Sequence, residues 1–290
     1  MDSARRTVVG RLRRAARAAL DRAPGDLVAR LTPLRSPLAR ADARPMTPAD
    51  LAALGRTLVV APHPDDETFG CGGLIALLAQ AGAPVHVVFV TDGAASHPGS
   101  RLYPPGRLVA LRQRESLAAL AALGLPADTA THLALPDGAL PFAGETGFAQ
   151  AVAAFAACLA AQAPDTIVLP WRRDSSRDHR ATFEVVTAAR ASNAPTARVL
   201  EYPVWVWLHD EDLPRADEVE ILRLDIARAR VAKRRAIACY KSQTGHLVAD
   251  ADWRLPRAFL AAFARDSELF FVARPPVSTE SGASAAPSPA

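Results

Sequence analysis

The sequence predicts an α/β fold: a Rossmann-like, mostly parallel sheet with helices on both faces. Three observations carry this. Segments that are apolar along their whole length alternate with segments whose apolar residues recur at helical spacing, as expected when strands are buried on both faces. The densest groups of histidine and acid follow directly on such apolar segments, where parallel sheets place their ligands. At 290 residues, half of them hydrophobic and 22% charged, the chain can bury a large core.

The elements follow in order. TLVVA (57–61) reads as the first strand and GGLIALLAQAG as the helix behind it. VHVVFVTDG (85–93) is a strand, and RLVALRQRESLAALAALG (107–124) has helical periodicity. THLALPDG (131–138), a helix over 147–162, the strand DTIVLP (165–170), a helix after DHRATFEVVTAARAS and a strand over ARVLEYPVW (197–205) continue the alternation. Trp205 and Trp207, two apart, share a face of that last strand. Prolines from Pro24 to Pro48 break any long helix, so residues 1–55 read as a basic extension and 56–273 as the α/β domain. The tail, 274–290, is rich in Pro, Ser and Ala and reads as disordered.

Charge narrows the partners. The net charge is +4 with pI 9.3, but residues 1–45 hold eleven arginines against four aspartates, a local +7, leaving the other 245 residues at −3. The basicity belongs to the extension, which argues against nucleic acid as a partner and leaves membrane-surface contact as the arm's sharper reading. No run reaches the ~18 apolar residues of a membrane span. Arginines interrupt the N-terminal apolar stretch, so a secretory signal is not expected. Cys71, Cys158 and Cys239, odd in number and without CxxC spacing, read as reduced residues of a cytoplasmic protein.

After TLVVA comes HPDDE: one imidazole and three carboxylates at the end of a buried strand. A dinucleotide loop is excluded, because GxGxxG laid on Gly70 and Gly72 meets Ile75, and the acids would repel a pyrophosphate. They would attract a cation. His63 and Asp66 supply two ligands and a metal needs at least a third; His179, after the strand DTIVLP, is the natural candidate.

APHPDDETFGCGG resembles the signature of the PIG-L/LmbE-like zinc-dependent N-deacetylases, which remove acyl groups from N-acylated glucosamine-type substrates. VTDGAASHP, Arg112 with Glu115, LPDG, LPWRRDSSRDHRAT, EYPVW and KSQ look like further landmarks, in the family's order. The resemblance implies that His63, Asp66 and His179 bind Zn2+, with Fe2+ an alternative, and that Asp65 is the general base. Asp178, beside a ligand histidine, fits a carboxylate that orients an imidazole. Glu67 is a helix-start acid or a catalytic one.

One position departs from the family. Its further histidine, three residues before the last ligand, is here Ser176. His97 is the favoured substitute, with Asp174 and His209 as others; alternatively the ion alone polarises the carbonyl. The expected activity is removal of an acetyl or short acyl group from an amino sugar or its conjugate, against a non-catalytic or weakly active binding protein of the same fold. Arg112 and Glu115 would be a helix ion pair, and RVAKRRAIACYK (230–241) a solvated face.

Overall fold

A computed structural model describes residues 36–209, 212–245, 247–251 and 253–275. Most of the expected basic extension and the tail 276–290 lie outside the described residues, including the surface assigned to membrane contact.

Strand β2 (Thr57–Ala61) is buried throughout, because both its faces are covered. Leu58 and Val60 enter one apolar cluster, while Val59 and Ala61 enter the other, as the period of two requires. It pairs in parallel with β3 (Val85–Thr91) and β5 (Thr166–Pro170). Beyond these lie β4 (Ala130–Leu135) and β6 (Arg198–Tyr202), also parallel. With β1 (Arg44–Pro45), β7 (Val219–Asp225) and β8 (Ser267–Ala273), the sheet order is β1-β7-β8-β6-β5-β2-β3-β4. From β2 the chain winds outward through β3 and β4, and from β5 the other way through β6. The gap between the carboxyl ends of β2 and β5 is therefore a topological switch point, where a crevice opens.

Helices α2 (Asp66–Gln80), α3 (Pro105–Leu123) and α6 (Arg230–Cys239) cover one face; α4 (Phe148–Gln162) and α5 (Arg177–Asn193) cover the other. Two glycines permit α2 to lie where it does. A Cβ on Gly70 would stand 2.1 Å from the Tyr202 ring, and one on Gly73 2.5 Å from Ile226. No helix among the described residues is long and apolar enough to cross a membrane, and all three cysteines are free thiols.

Four expectations are corrected. The boundary at residue 55 falls inside the fold: Leu38 and Leu54 are buried in the core, β1 (Arg44–Pro45) extends the sheet along β7, and Thr47 and Asp50 form a capping box on the short helix α1 (Pro48–Ala52). Polar composition hid two apolar anchors. The segment YPVW does not continue as strand. β6 stops at Tyr202, ahead of Pro203, and Trp205–Trp207 form a 3-10 turn, so the two tryptophans do not share a strand face. The face 230–241 is not wholly solvated, since Lys233 is buried on Glu268. Arg112 and Glu115 do not pair with each other: Glu115 accepts from Ser242 and Arg112 turns to Asp65. Three further elements were not expected at all: β7 (Val219–Asp225), helix α7 (Arg257–Phe263) and β8 (Ser267–Ala273), which runs antiparallel between β7 and β6.

Candidate metal centre and its cavity

The loop leaving β2 and the loop leaving β5 meet across the switch point. His63 and Asp66 come from the first, His179 from the first turn of α5. His63 Nδ1 lies 3.1 Å from Asp66 Oδ2, His179 Nε2 lies 3.1 Å from the same oxygen, and the two ring nitrogens are 3.3 Å apart. These three donors form a nearly equilateral triangle. Ligands at ~2.0–2.1 Å around a tetrahedral ion are separated by roughly 3.3 Å, so the donor set fits a divalent metal in type and in spacing.

The opposite edge of each ring is held by acid. His63 Nε2 stands 3.3 Å from both Asp137 Oδ1 and Asp178 Oδ2. His179 Nδ1 stands 3.2 Å from Asp174 Oδ1. Such carboxylates fix ring orientation and tautomer in metal sites. Backbone donors fix the acids in turn: Ala95 N–H reaches Asp137, and Gly138 and Leu140 reach Asp178. Asp178, expected to orient an imidazole, lies against the His63 ring. Sequence reading passed over Asp137, although it follows β4 at this same edge in the PDG turn.

Charge makes the second argument for a cation. Asp65, Asp66, Glu67, Asp137, Asp174 and Asp178 are largely withdrawn from water, and Arg112 is the guanidinium among them. Buried acid in such excess is costly without added positive charge. The histidines show the imbalance. Burial alone would lower both, yet for His179 it is outweighed by Asp66 and Asp174, which bring it to about 9. For His63 it is outweighed by Asp137, Asp178 and Asp66, which hold it well above 6.5.

The adjacent aspartates behave oppositely. Burial pushes the Asp65 carboxyl up to about 8 against the pull of Arg112. Asp66 is also buried, but His179 and His63 hold it well below the usual range. Asp65 has φ 144°, a left-handed value for a non-glycine residue, and although it occupies the N-cap of α2 its side chain makes no capping bond. Arg112 holds it instead, with Nη2 3.3 Å from Oδ2 while also donating to the Pro64 carbonyl. The Asp65 carboxylate is therefore positioned but not consumed by the backbone. Glu67 is consumed: it accepts from Tyr240 Oη at 2.6 Å and from Asp65 N–H at 3.1 Å. It is a fully buried brace for this loop.

A cavity of about 500 Å³ opens over the cluster, and its lining includes His63, Asp65, Asp66, Arg112 and Asp137 as well as Trp205, Trp253, Leu255 and Phe259. Ser175, Ser176 and Gln243 also face it, and Gln243 Oε1 has no hydrogen-bond partner. Ser176, the N-cap of α5, makes no side-chain capping bond. His97 is not brought to the cluster. Its neighbours Ser96 and Pro98 line the cavity, but its own ring turns away, Nδ1 lying 3.1 Å from Ser96 Oγ and the ring meeting Trp253 edge-on at 5.4 Å. His209 does not line the cavity either.

The fold and this cluster define a class: an α/β protein with a histidine–carboxylate cluster that could hold a divalent ion at a sheet switch point. Comparison with known proteins narrows it. The family described as PIG-L, GlcNAc-PI de-N-acetylase, matches residues 58–190, a stretch holding His63, Asp65, Asp66 and His179, and over that stretch the chain is similar to this family. A 2'-N-acetylparomamine deacetylase from Streptomyces fradiae is 42% identical over 64 residues, 21% of this chain and 22% of that protein. The match thus spans about a fifth of the relative's length. A solved deacetylase triple mutant from the teicoplanin biosynthetic pathway is similar at TM-score 0.59 and 19% identity, over 76% of this chain and 98% of that one. A 4-carboxy-2-hydroxymuconate hydratase from Pseudomonas putida reaches TM-score 0.56 at 18% identity, over 79% and 100%. Identities this low show a common fold, and fold alone does not select between the two chemistries.

Proposed function

We propose that the protein is a metal-dependent amide hydrolase that removes an acetyl or short acyl group from an N-acylated amino sugar or its conjugate, with Asp65 as general base. The observation that carries this reading is the triangle of His63, Asp66 and His179 beside a carboxylate that neither caps a helix nor ligates. A divalent ion, Zn2+ or Fe2+, would be held by those three residues and would supply Lewis acidity to the amide carbonyl and to water. Asp65 takes the proton as water adds to the carbonyl carbon. Arg112 keeps that carboxylate directed at the cavity. The carbon–nitrogen bond then breaks, and the proton on Asp65 passes to the leaving nitrogen, giving a free amine and a carboxylate. With His97 turned away, one carboxyl serves both steps, and Ser176 offers a hydroxyl donor where relatives commonly carry histidine.

The amino-sugar substrate is supported by the named activity of the Streptomyces relative. A second reading, a pocket that binds without turning over, is favoured by Ser176 alone. One experiment separates them: metal content together with amine release from N-acetylglucosamine conjugates, for the wild type and His179→Ala. The proposal expects about one divalent ion per chain and hydrolysis in the wild type, and neither in the variant. Metal without hydrolysis on any conjugate would favour the binding reading, and metal retained in His179→Ala would remove the triad.

A further inference from the structure

Three buried side chains, Glu115 on α3 and Ser242 and Gln243 on the helical turn Lys241–Thr244, form a relay of hydrogen bonds whose direction is fixed. Glu115 accepts the Ser242 N–H on Oε1 at 2.8 Å and the Ser242 hydroxyl on Oε2 at 2.5 Å. A carboxylate only accepts, so the hydroxyl gives its one proton to Glu115. Ser242 Oγ is then left to accept from Gln243 at 2.8 Å, and the end of the amide that meets it must be the nitrogen, Nε2. An amide whose oxygen and nitrogen are ordinarily interchangeable is here oriented by its donors and acceptors alone.

The backbone pins Gln243 as well. Its N–H donates to the Tyr240 carbonyl and its own carbonyl accepts from Leu255 N–H, both at 3.1 Å. Gln243 lines the cavity over the His63, Asp66 and His179 triangle, whereas Glu115 and Ser242 do not. With Nε2 turned to Ser242, the amide has Oε1 left to offer, and that atom has no hydrogen-bond partner. A buried acceptor without a donor is costly. A site built around one rejects a ligand that lacks the donor far more strongly than an apolar pocket rejects a ligand of the wrong size.

We infer that Gln243 determines specificity by accepting a hydrogen bond from a ring hydroxyl of the substrate. Glu115 is the positioning residue that, through Ser242, keeps the amide oxygen rather than the nitrogen turned to the cavity. The inference rests on the cavity being the hydrolytic site proposed above. An acylated N–H is common to secondary amides, so the donor that separates one amino sugar from another is a hydroxyl.

The test uses the metal-loaded full chain with N-acetylglucosamine and its deoxy and deoxyfluoro analogues at the 3-, 4- and 6-hydroxyls. Fluorine keeps the dipole of a hydroxyl but has no proton to donate. In the wild type one position should stand out, with both analogues losing about 10- to 100-fold in kcat/KM, the effect of leaving a buried acceptor unpaired. Gln243→Leu removes the acceptor: at that position the parent sugar should fall to the level of its deoxy analogue and the analogue should fall no further, with metal content unchanged. Glu115→Gln reverses the relay. Its oxygen still accepts the Ser242 N–H, its new amide nitrogen donates to Ser242 Oγ, the hydroxyl donates to Gln243, and the Gln243 nitrogen turns to the cavity. The fluoro analogue should then outrun the deoxy analogue at the same position, a reversal that a loosened fold does not produce. Calorimetric binding of the same probes needs no turnover and keeps the two readings apart. If nothing is hydrolysed, weaker binding of the analogues at one position in the wild type, absent in Gln243→Leu, supports the role of Gln243 while the hydrolytic reading falls. Equal values for the parent and its analogues at all three positions, binding of no probe, or a loss in Gln243→Leu as large as in the wild type overturns it.

Discussion

Helix α2 carries two buried ionic groups, one at each end of its first two turns, and they are solved in opposite ways. Near the kink at Cys71, where φ is −143°, Glu268 accepts from Gly73 and Leu74 N–H at 2.6 and 2.8 Å. Lys233 Nζ meets Glu268 at 2.6 Å and the Phe69 carbonyl at 2.7 Å. One acid, one base and the freed backbone groups of the break satisfy each other. At the start of the same helix, Asp65, Asp66 and Glu67 join three more carboxylates around two histidines and Arg112. Burial costs both groups solvation. A closed balance marks a structural clip, whereas an open one marks a place meant to receive charge from outside the chain.

The largest expected effect tests the open group. Asp65→Asn should lower kcat by about 10²- to 10⁴-fold, because an amide of nearly the same shape cannot take the proton from water. Metal content should stay at the wild-type value, and stability should not fall, since burial opposes the Asp65 charge. Asp66→Asn should lose both metal and activity. Elemental analysis beside an amine-release assay reads the pair; wild-type turnover in Asp65→Asn would remove it as the base.

The closed group should respond through stability instead. Lys233→Met leaves Glu268 buried with its two backbone donors and no countercharge, a change expected to cost about 3–5 kcal/mol. Urea unfolding measures it. Metal bound per folded chain should not change, and a parallel loss of metal at low denaturant would mean that the clip and the centre are one unit.

The sequence showed these two groups unequally, and the reason is physical. The strands and long helices from β2 to β6 were legible because each is a long apolar or periodic stretch, and the grouping of His63, Asp66 and His179 was legible because they follow two such strands. The clip was not, since Lys233 sits in an arginine-rich helix that composition assigns to solvent and its partner is 35 residues away in β8. Likewise Leu38 is one apolar residue among prolines and arginines. Asp137 could have been found from its place after β4. The turn of His97 away from the cavity could not, because its ring direction is set by Ser96 and by Trp253, which is distant in the sequence.

The smallest expected effect contrasts the histidines of the centre with those of the sheet edge. Carboxylates raise His63 and His179, but His132 on β4 is lowered by burial alone: its ring stacks on Phe89 at 4.7 Å and its Nε2 lies 3.0 Å from Ser116 Oγ. A histidine depressed in the fold takes up a proton more readily when unfolded. Its contribution is therefore complete above the unfolded value of 6.5 and is lost as pH falls from there through the folded value. His132→Gln keeps a hydrogen-bonding side chain at β4 and removes the titration. Thermal unfolding at pH 7.5 and at 5.5 should show a smaller loss of Tm in the variant than in the wild type. Comparing the two proteins at each pH cancels whatever the centre loses when its own ligands protonate. An equal loss in both would mean that the acid sensitivity comes wholly from the centre and that the edge-strand histidine is not depressed.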